Sequence, residues 1–462
     1  MKTPARIALV STMVLLGSLA EAKTLYVNSA NGNDSVSYAA NSQSTPWRSL
    51  GRATWGSANR ATPAPAEAAR AGDIVLVSGG PHVAPGTDIR YEPAFNPVNS
   101  GTASQPIVFR AVGRVELRTD GVISPTIGAL NADYIHWNGF VIDERYAPPR
   151  RDTGPIVIWS STGTVIDGTE VIGVEQTYGD NHNGVRIEGS ANTTIRNTKI
   201  SGIRVTNTST HNGAGIMIYA SQGVLIENNE FINCGVGIFP KGHDYYDVTV
   251  RYNRVTGSTK GIRTSDSHPT LGRNRIYQNI LENTAEDGPG IQIAEDSNNW
   301  TVTNNTIVNA YSGIYLRAAS TVSNFQLGNN IVVGSETAVN AAEWTTAMPG
   351  SGRNLYHLAR TWSLAGNTLA SFPSWQAAAP TEATSIVADP LFVDAAAGNY
   401  RLRTGSPART LGRDLLDLND NESNGDAIPA GAYLTGSEVI GRNTESTPTP
   451  PAPNPPSDVI AE

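Results

Sequence analysis

An asparagine returns once per unit of an internal repeat through the middle of this chain: Asn197, Asn229, Asn253, Asn279, Asn305 and Asn330, at intervals of 32, 24, 26, 26 and 25 residues. Each follows a short run with alternate apolar residues, as in Val224-Leu225-Ile226 and Val248-Thr249-Val250. A second marker keeps the same beat, a glycine followed by alternating residues: GVRIE from Gly184, GIMIY from Gly215, GIFPK from Gly237, GIRTS from Gly261, GIQIA from Gly290 and GIYLR from Gly313. Units of 22 to 31 residues therefore carry two or three short strands separated by Gly, Asn and Ser turns. Helical periodicity is absent from these units.

A strand that cannot bury its apolar face alone must stack on its neighbour, and equivalent positions then pile into columns. Asn suits a corner of such a stack, because it tolerates left-handed turn geometry and its amide can bond to the Asn above and below. The expectation is an all-β chain closed into a parallel β-helix, a single domain with capped ends. A propeller is disfavoured because its blades need roughly 40 residues and four strands each.

The first 22 residues carry Lys2 and Arg6, a mainly apolar stretch from Ile7 to Ala20 and the ending Ala20-Glu21-Ala22, which reads as a secretory signal peptide. The expected location is thus secreted or periplasmic. Without that segment 31 basic and 40 acidic residues remain, a net charge of −9, which argues against nucleic acid or an anionic membrane as a general partner. No later apolar run reaches membrane-spanning length. The one cysteine, Cys234, sits in the apolar segment FINCGVGI and reads as a core residue rather than a reactive thiol. A monomer is expected.

Residues 23–440 are expected to form the helix domain, with regular coils over about 154–333 and a Pro-rich tail over 441–462. Candidate strands in the irregular first part are 24–27, 73–77, 107–111, 115–118 and 135–137, and the Ala-rich segment 63–70 is read as a short capping helix. Residues 334–440, with strands at 390–393 and 400–402, read as looser final coils and a cap.

In the Gly-led pentads the second and fourth places point inward and the third and fifth outward. The exposed strip then holds Arg186, Glu188, Met217, Tyr219, Phe239, Lys241, Arg263, Ser265, Gln292, Ala294, Tyr315 and Arg317, with Val157 and Trp159 from the preceding coil. Aromatic faces alternating with charged and amide groups along a line suit an extended sugar chain, so Arg186, Glu188, Tyr219, Phe239, Gln292, Tyr315 and Arg317, with Asp266 at the border, are candidate substrate-binding residues. Lys241 and Arg263 fall on adjacent coils two residues out of register, roughly 7 Å apart. His243, Tyr245 and His268 cluster with them, and these five residues form the candidate catalytic set.

Such a pair suits proton abstraction beside a carboxylate. Arg263 would neutralise the carboxylate of a uronic acid, Lys241 with a lowered pKa would act as base, and a Tyr or His would protonate the departing oxygen, which is β-elimination. The partner would be an acidic polysaccharide or oligosaccharide. A hydrolase would want two facing carboxylic acids, and Glu188 is the one acidic side chain on the strip, with Asp266, Asp287, Glu295 and Asp296 at turns.

The repeat pattern, with the segment from Lys241 through Asn253 and Gly257 to Arg263, resembles the right-handed parallel β-helix polysaccharide lyases, in part the family containing chondroitinase B and alginate lyases. That resemblance implies the base role for Lys241 and the partner role for Arg263. Thr264, not His, follows Arg263, and Cys234 and Val236 stand where the family's acidic calcium ligands would be, so calcium remains the one cofactor the resemblance raises and the residues do not support. Segment 243–262 is similar, more loosely, to mannuronan C5-epimerases, which share the first proton abstraction. A non-catalytic glycan-binding β-helix is the rival from another class. The acidic run 414–426 departs from the EF-hand template and reads as an Asp/Asn-rich turn, and His182 and His211 read as loop residues at one edge.

Overall fold

The structure is a computed structural model that describes residues 22–443 apart from 88, 90, 121–123, 147–152, 178–180, 207–211, 243, 285–287, 318–323 and 343–350. The leader 1–21, the tail from 444, His211, His243 and Asp287 lie outside the described residues.

The chain winds as a right-handed parallel β-helix. Strands Asn183–Glu188, Ala214–Tyr219, Val236–Pro240, Lys260–Thr264, Pro289–Ile293, Ser312–Leu316 and Thr337–Ala341 stack in one sheet, called here the site sheet. They pair in parallel and in phase: Val185 meets Ile216, Ile216 meets Ile238, Ile238 meets Ile262, and the column continues through Ile291, Ile314 and Val339. All seven are fully buried, and stacked β-branched side chains suit this pleated interior. A pentad glycine precedes the first six of these residues, where there is no room for a side chain: a Cβ at Gly237 would lie 2.6 Å from the Gly261 carbonyl oxygen.

On the far side of each coil two short strands meet at the asparagine corner, as Leu225–Glu227 and Glu230–Ile232 do around Asn229. Asn229, Asn253, Asn279, Asn305, Asn330 and Asn354 form a fully buried ladder. From Asn253 onward each Oδ1 accepts from the backbone N–H and the Nδ2 of the Asn in the coil before, as Asn279 does from Asn253 at 3.0 Å for both bonds. Two sequence expectations change. The left-handed residue is the one before the ladder Asn: Asn228, Tyr252, Gln278, Asn304 and Asn329 have φ between 52° and 58°. Asn197 belongs to that left-handed column and not to the ladder, whose place is taken by Thr198, the residue that donates its N–H to Asn229 Oδ1 at 2.9 Å. Counted from Thr198 the first interval is 31 residues, still longer than the 24 to 26 of the later coils.

The observed N-terminal cap is the helix Leu50–Trp55, started by Ser49 and buried throughout, which the sequence reading missed. The Ala-rich segment gives only a 3-10 turn at Pro65–Glu67, consistent with the prolines on either side of Ala64. The two candidate strands at 107–118 are one continuous strand, Ile107–Thr119. At the other end, helix Phe372–Ala378 buries Trp375 over the last coils. Strands Phe392–Asp394 and Asn399–Leu402 are not a further coil but an antiparallel hairpin.

From there the chain turns back along the outside of the helix and is pinned to the left-handed column coil by coil. Gly431 N–H donates to the Asn329 carbonyl at 2.8 Å, Asn304 Nδ2 to Pro429 at 2.9 Å and Gln278 Nε2 to Ala432 at 3.4 Å. Further along, Gly441 N–H donates to Tyr252 at 2.8 Å and Asn228 Nδ2 to Val439 at 2.6 Å. Arg442 ends the strap by donating to the carbonyls of Asn197 and Gly168, both at 3.0 Å. Within the run 414–426 before it, the buried Asp414 carboxylate accepts from the N–H groups of Leu416, Leu418 and Asn419, so its oxygens close a turn.

Candidate active site on the outer face of the site sheet

The register places the outward residues in columns as the alternation predicts. Val157, Arg186, Met217 and Phe239 follow one another in one column, and Arg263, Gln292 and Tyr315 continue it. Trp159, Glu188 and Tyr219 head the second column, with Lys241 next. The face is not evenly solvated. Met217 and Phe239 point away from the core yet are fully buried, forming with Ala214 and Val236 a separate outer cluster against which Tyr219 packs.

Phe239 brings Lys241 and Arg263 together. The Arg263 guanidinium lies 4.5 Å from the ring centroid and the Lys241 ammonium 5.6 Å from it, so both cations use one aromatic ring. Phe239 was expected to contact substrate directly; at 0% exposure it is the floor beneath the two cations instead. Lys241 Nζ donates to Asn212 Oδ1 at 3.1 Å, which orients the amine. Arg263 Nε is buried without a hydrogen bond, and its guanidinium makes no ion pair among the described residues. Burial and then the Arg317 charge hold its pKa below the ordinary arginine value, partly countered by Glu295 and Asp266.

Other expected members separate. Tyr245 is not catalytic: it is fully buried in the core, edge-on to Trp300 at 6.3 Å, and burial raises its phenol far above the usual range. The reason is local backbone geometry. Gly242 and Asp244 have φ of 77° and 72°, so the inward–outward alternation breaks after the strand and Tyr245 turns inward. His268 Nδ1 accepts from the N–H groups of Thr270 and Leu271, at 3.2 and 2.9 Å, and its ring meets Tyr246, so it braces a turn beyond the strip. Gln292 is nearly buried, with no hydrogen bond to its Oε1. Asp266 sits at a left-handed corner whose N–H donates to the Glu295 carbonyl at 2.9 Å, which puts the two acids at matching positions on adjacent coils. Glu295 pairs with Arg317 at 3.0 Å, while Tyr315 is partly exposed beside Gln292.

Tyr219 stands next to the Lys241 turn, close enough that a Cβ on Gly242 would strike its ring at 2.7 Å. Burial pushes its phenol above the ordinary value, against the Arg186 guanidinium 4.4 Å from the ring. Arg186 also closes on Glu188 at 2.6 Å and lies 5.1 Å from the Tyr91 ring, and Tyr91 packs on Trp159 at 4.3 Å. The early half of the strip is thus aromatic and internally neutralised.

Two residues of this face escaped the sequence reading. Tyr91 arrives from the irregular first part, where no repeat gives a register. Lys260 precedes the pentad glycine, a place whose outward direction is visible from Ala214 and Val236 in the same column. At the edge, His182 lies in the loop before strand Asn183–Glu188 as expected, but it is buried, facing Glu144 at 3.2 Å. Cys234 is fully buried as expected, its thiol pushed up to about 12 by burial. With Val236 also buried in an apolar cluster, the pair does not fit a calcium ion, which needs oxygen ligands.

The comparisons bear on the fold. The family model for the right-handed β-helix region matches residues 150–288 and 183–351, less than half of the chain. No curated protein matches. Among solved structures, pectate lyase Pel9A aligns with a TM-score of 0.47 and 14% identity over 90% of this chain and 97% of that one. XylC in complex with xylose aligns with a TM-score of 0.47 and 12% identity over 80% and 87%. The PL6 family polysaccharide lyase Pedsa3628 from Pseudopedobacter saltans aligns with a TM-score of 0.42 and 14% identity over 73% and 93%. The family match and the strand register agree on one architecture, the right-handed parallel β-helix of which the lyase resemblance in the sequence is an instance.

Proposed function

We propose that this protein is a carbohydrate-active enzyme that cleaves a uronic-acid-containing polysaccharide by β-elimination on the outer face of the site sheet. The observation that carries the reading is the Arg263 guanidinium, held over the Phe239 ring beside Lys241 with no ion pair among the described residues. A uronate carboxylate would supply the missing partner. Neutralising it acidifies the adjacent C5–H, and Lys241 takes that proton. The electron pair forms the C4–C5 double bond as the C4–O bond breaks, and the departing oxygen takes a proton from the Tyr219 phenol. Its raised pKa keeps that phenol protonated at neutral pH, and it replaces Tyr245 in the role of acid.

Incubation with alginate, pectate, chondroitin and dermatan sulfate, followed by the ultraviolet absorbance of unsaturated uronate, tests the proposal. Signal that disappears in Lys241→Ala supports it; no signal on any of these polymers overturns it. A change in uronate configuration without chain cleavage would point to epimerisation from the same first step.

A second reading, glycoside hydrolysis, is favoured by one observation, the adjacent-coil placement of Asp266 and Glu295. It is weaker because Glu295 is engaged by Arg317. New reducing ends without ultraviolet absorbance, lost in Asp266→Asn, would select it.

A further inference from the structure

Lys260 pairs with Val236 in the register, on the same outer face as Arg263 and across the apolar patch from Lys241. Its ammonium has no hydrogen bond or ion pair among the described residues. Several other cations of these coils are matched: Arg196 pairs with Asp167, Arg251 with Glu227 and Arg317 with Glu295, at 2.9, 2.8 and 3.0 Å. Lys260 and Arg263 are thus two partly buried cations three positions apart on one strand, neither in an ion pair among the described residues, in a chain with 33 basic and 41 acidic residues. Removing charge from water without a partner is unfavourable, and an arriving anion would relieve both.

We infer that Lys260 and Arg263 together form a binding site for an anionic sugar substituent, a carboxylate or a sulfate, with Lys260 as the specificity-determining second cation. The inference rests on the proposed function only in taking the ligand to be a saccharide, and it requires no bond cleavage. Burial, then the charges of Arg263 and Arg317, bring the Lys260 amine down to about 8. Its strand neighbours Val236 and Pro289 are uncharged, and Glu295 and Asp266 act on Arg263 from the corner. A bound anion favours the ammonium, so binding at pH 8 takes up a proton, on the order of half a proton per site.

The test is calorimetric titration of the full chain at pH 8 with tetragalacturonate, a chondroitin sulfate tetrasaccharide and neutral cellotetraose, in two buffers of different ionisation enthalpy. The two anionic arms separate carboxylate from sulfate recognition. Expected are preference for an anionic ligand over cellotetraose, proton uptake, and a loss on the order of ten- to a hundredfold in affinity for Lys260→Ala. Lys260→Arg should keep affinity but abolish the uptake, which separates recognition from misfolding. Equal affinity of wild type and Lys260→Ala, proton uptake that survives in Lys260→Arg, or no anionic ligand bound by the wild type would each overturn the inference. Binding as expected without any unsaturated product would sink the elimination reaction and leave the anion site standing.

Discussion

Arg263 lies 4.5 Å above the ring of Phe239, a residue that faces outward from the sheet and is nonetheless sealed from water. The ring holds the cation on the outer face of the strip, with no hydrogen bond from it among the described residues. Arg263→Lys should therefore not be conservative: an ammonium cannot lie on the ring and offer two parallel donors to a carboxylate. Turnover, measured as unsaturated product, is expected to fall on the order of a hundredfold or more, with the melting temperature within a few degrees of wild type.

Tyr219 and Tyr245 give opposite expectations for the same change. Tyr219→Phe removes the proposed acid and should lower kcat by about a hundredfold or more without altering the fold. Tyr245→Phe removes a buried hydroxyl with no hydrogen bond and should leave turnover and stability nearly unchanged. Loss of activity in Tyr245→Phe with full activity in Tyr219→Phe would reverse the assignment.

The ladder makes a stability prediction. Asn253→Ala strips Oδ1 from the Asn229 N–H and Nδ2 from the Ile226 carbonyl, and both groups stay buried. The expected cost is about 2–6 kcal/mol in denaturant unfolding, from roughly 1–3 kcal/mol for each of the two orphaned groups. Asn197→Gly, outside the ladder and at φ 50°, should change stability by less than about 1 kcal/mol.

His136 gives a pH dependence. Burial first, then the Arg196 charge, lowers its pKa to about 4, against the opposing pull of Asp167 and the Gly163 backbone. Between about pH 4 and 6.5 the unfolded chain binds a proton that the folded chain refuses, so this stabilisation is complete above the upper limit and lost as pH falls through the window. The loss is at most about 3 kcal/mol. Comparing wild type with His136→Gln between pH 7 and 4 isolates the contribution; parallel curves would exclude it.

The coil period was legible because Asn and Gly recur at places where other residues fail, Asn for want of two paired bonds and Gly for want of space. The outward strip followed from strict alternation within each strand. Tyr245 was misplaced where that alternation stops, at the left-handed Gly242 and Asp244, and Asn197 because an Asn in the left-handed column looks the same in sequence as one in the ladder. Tyr91 and the C-terminal strap left no pattern, since their partners are single carbonyls and rings rather than repeated positions.

The strap has a consequence for how the molecule is completed. Stacked coils can in principle gain, lose or fray a unit at little cost to the rest, because each touches only its neighbours. Here the strap is threaded along the column from Asn329 back to Gly168, and Arg442 finds two carbonyls only when every intervening coil is present at its proper rise. The strap works as a gauge of coil number. A variant with one whole coil excised should still wind, but Arg442 would overshoot its partners by about 4.8 Å.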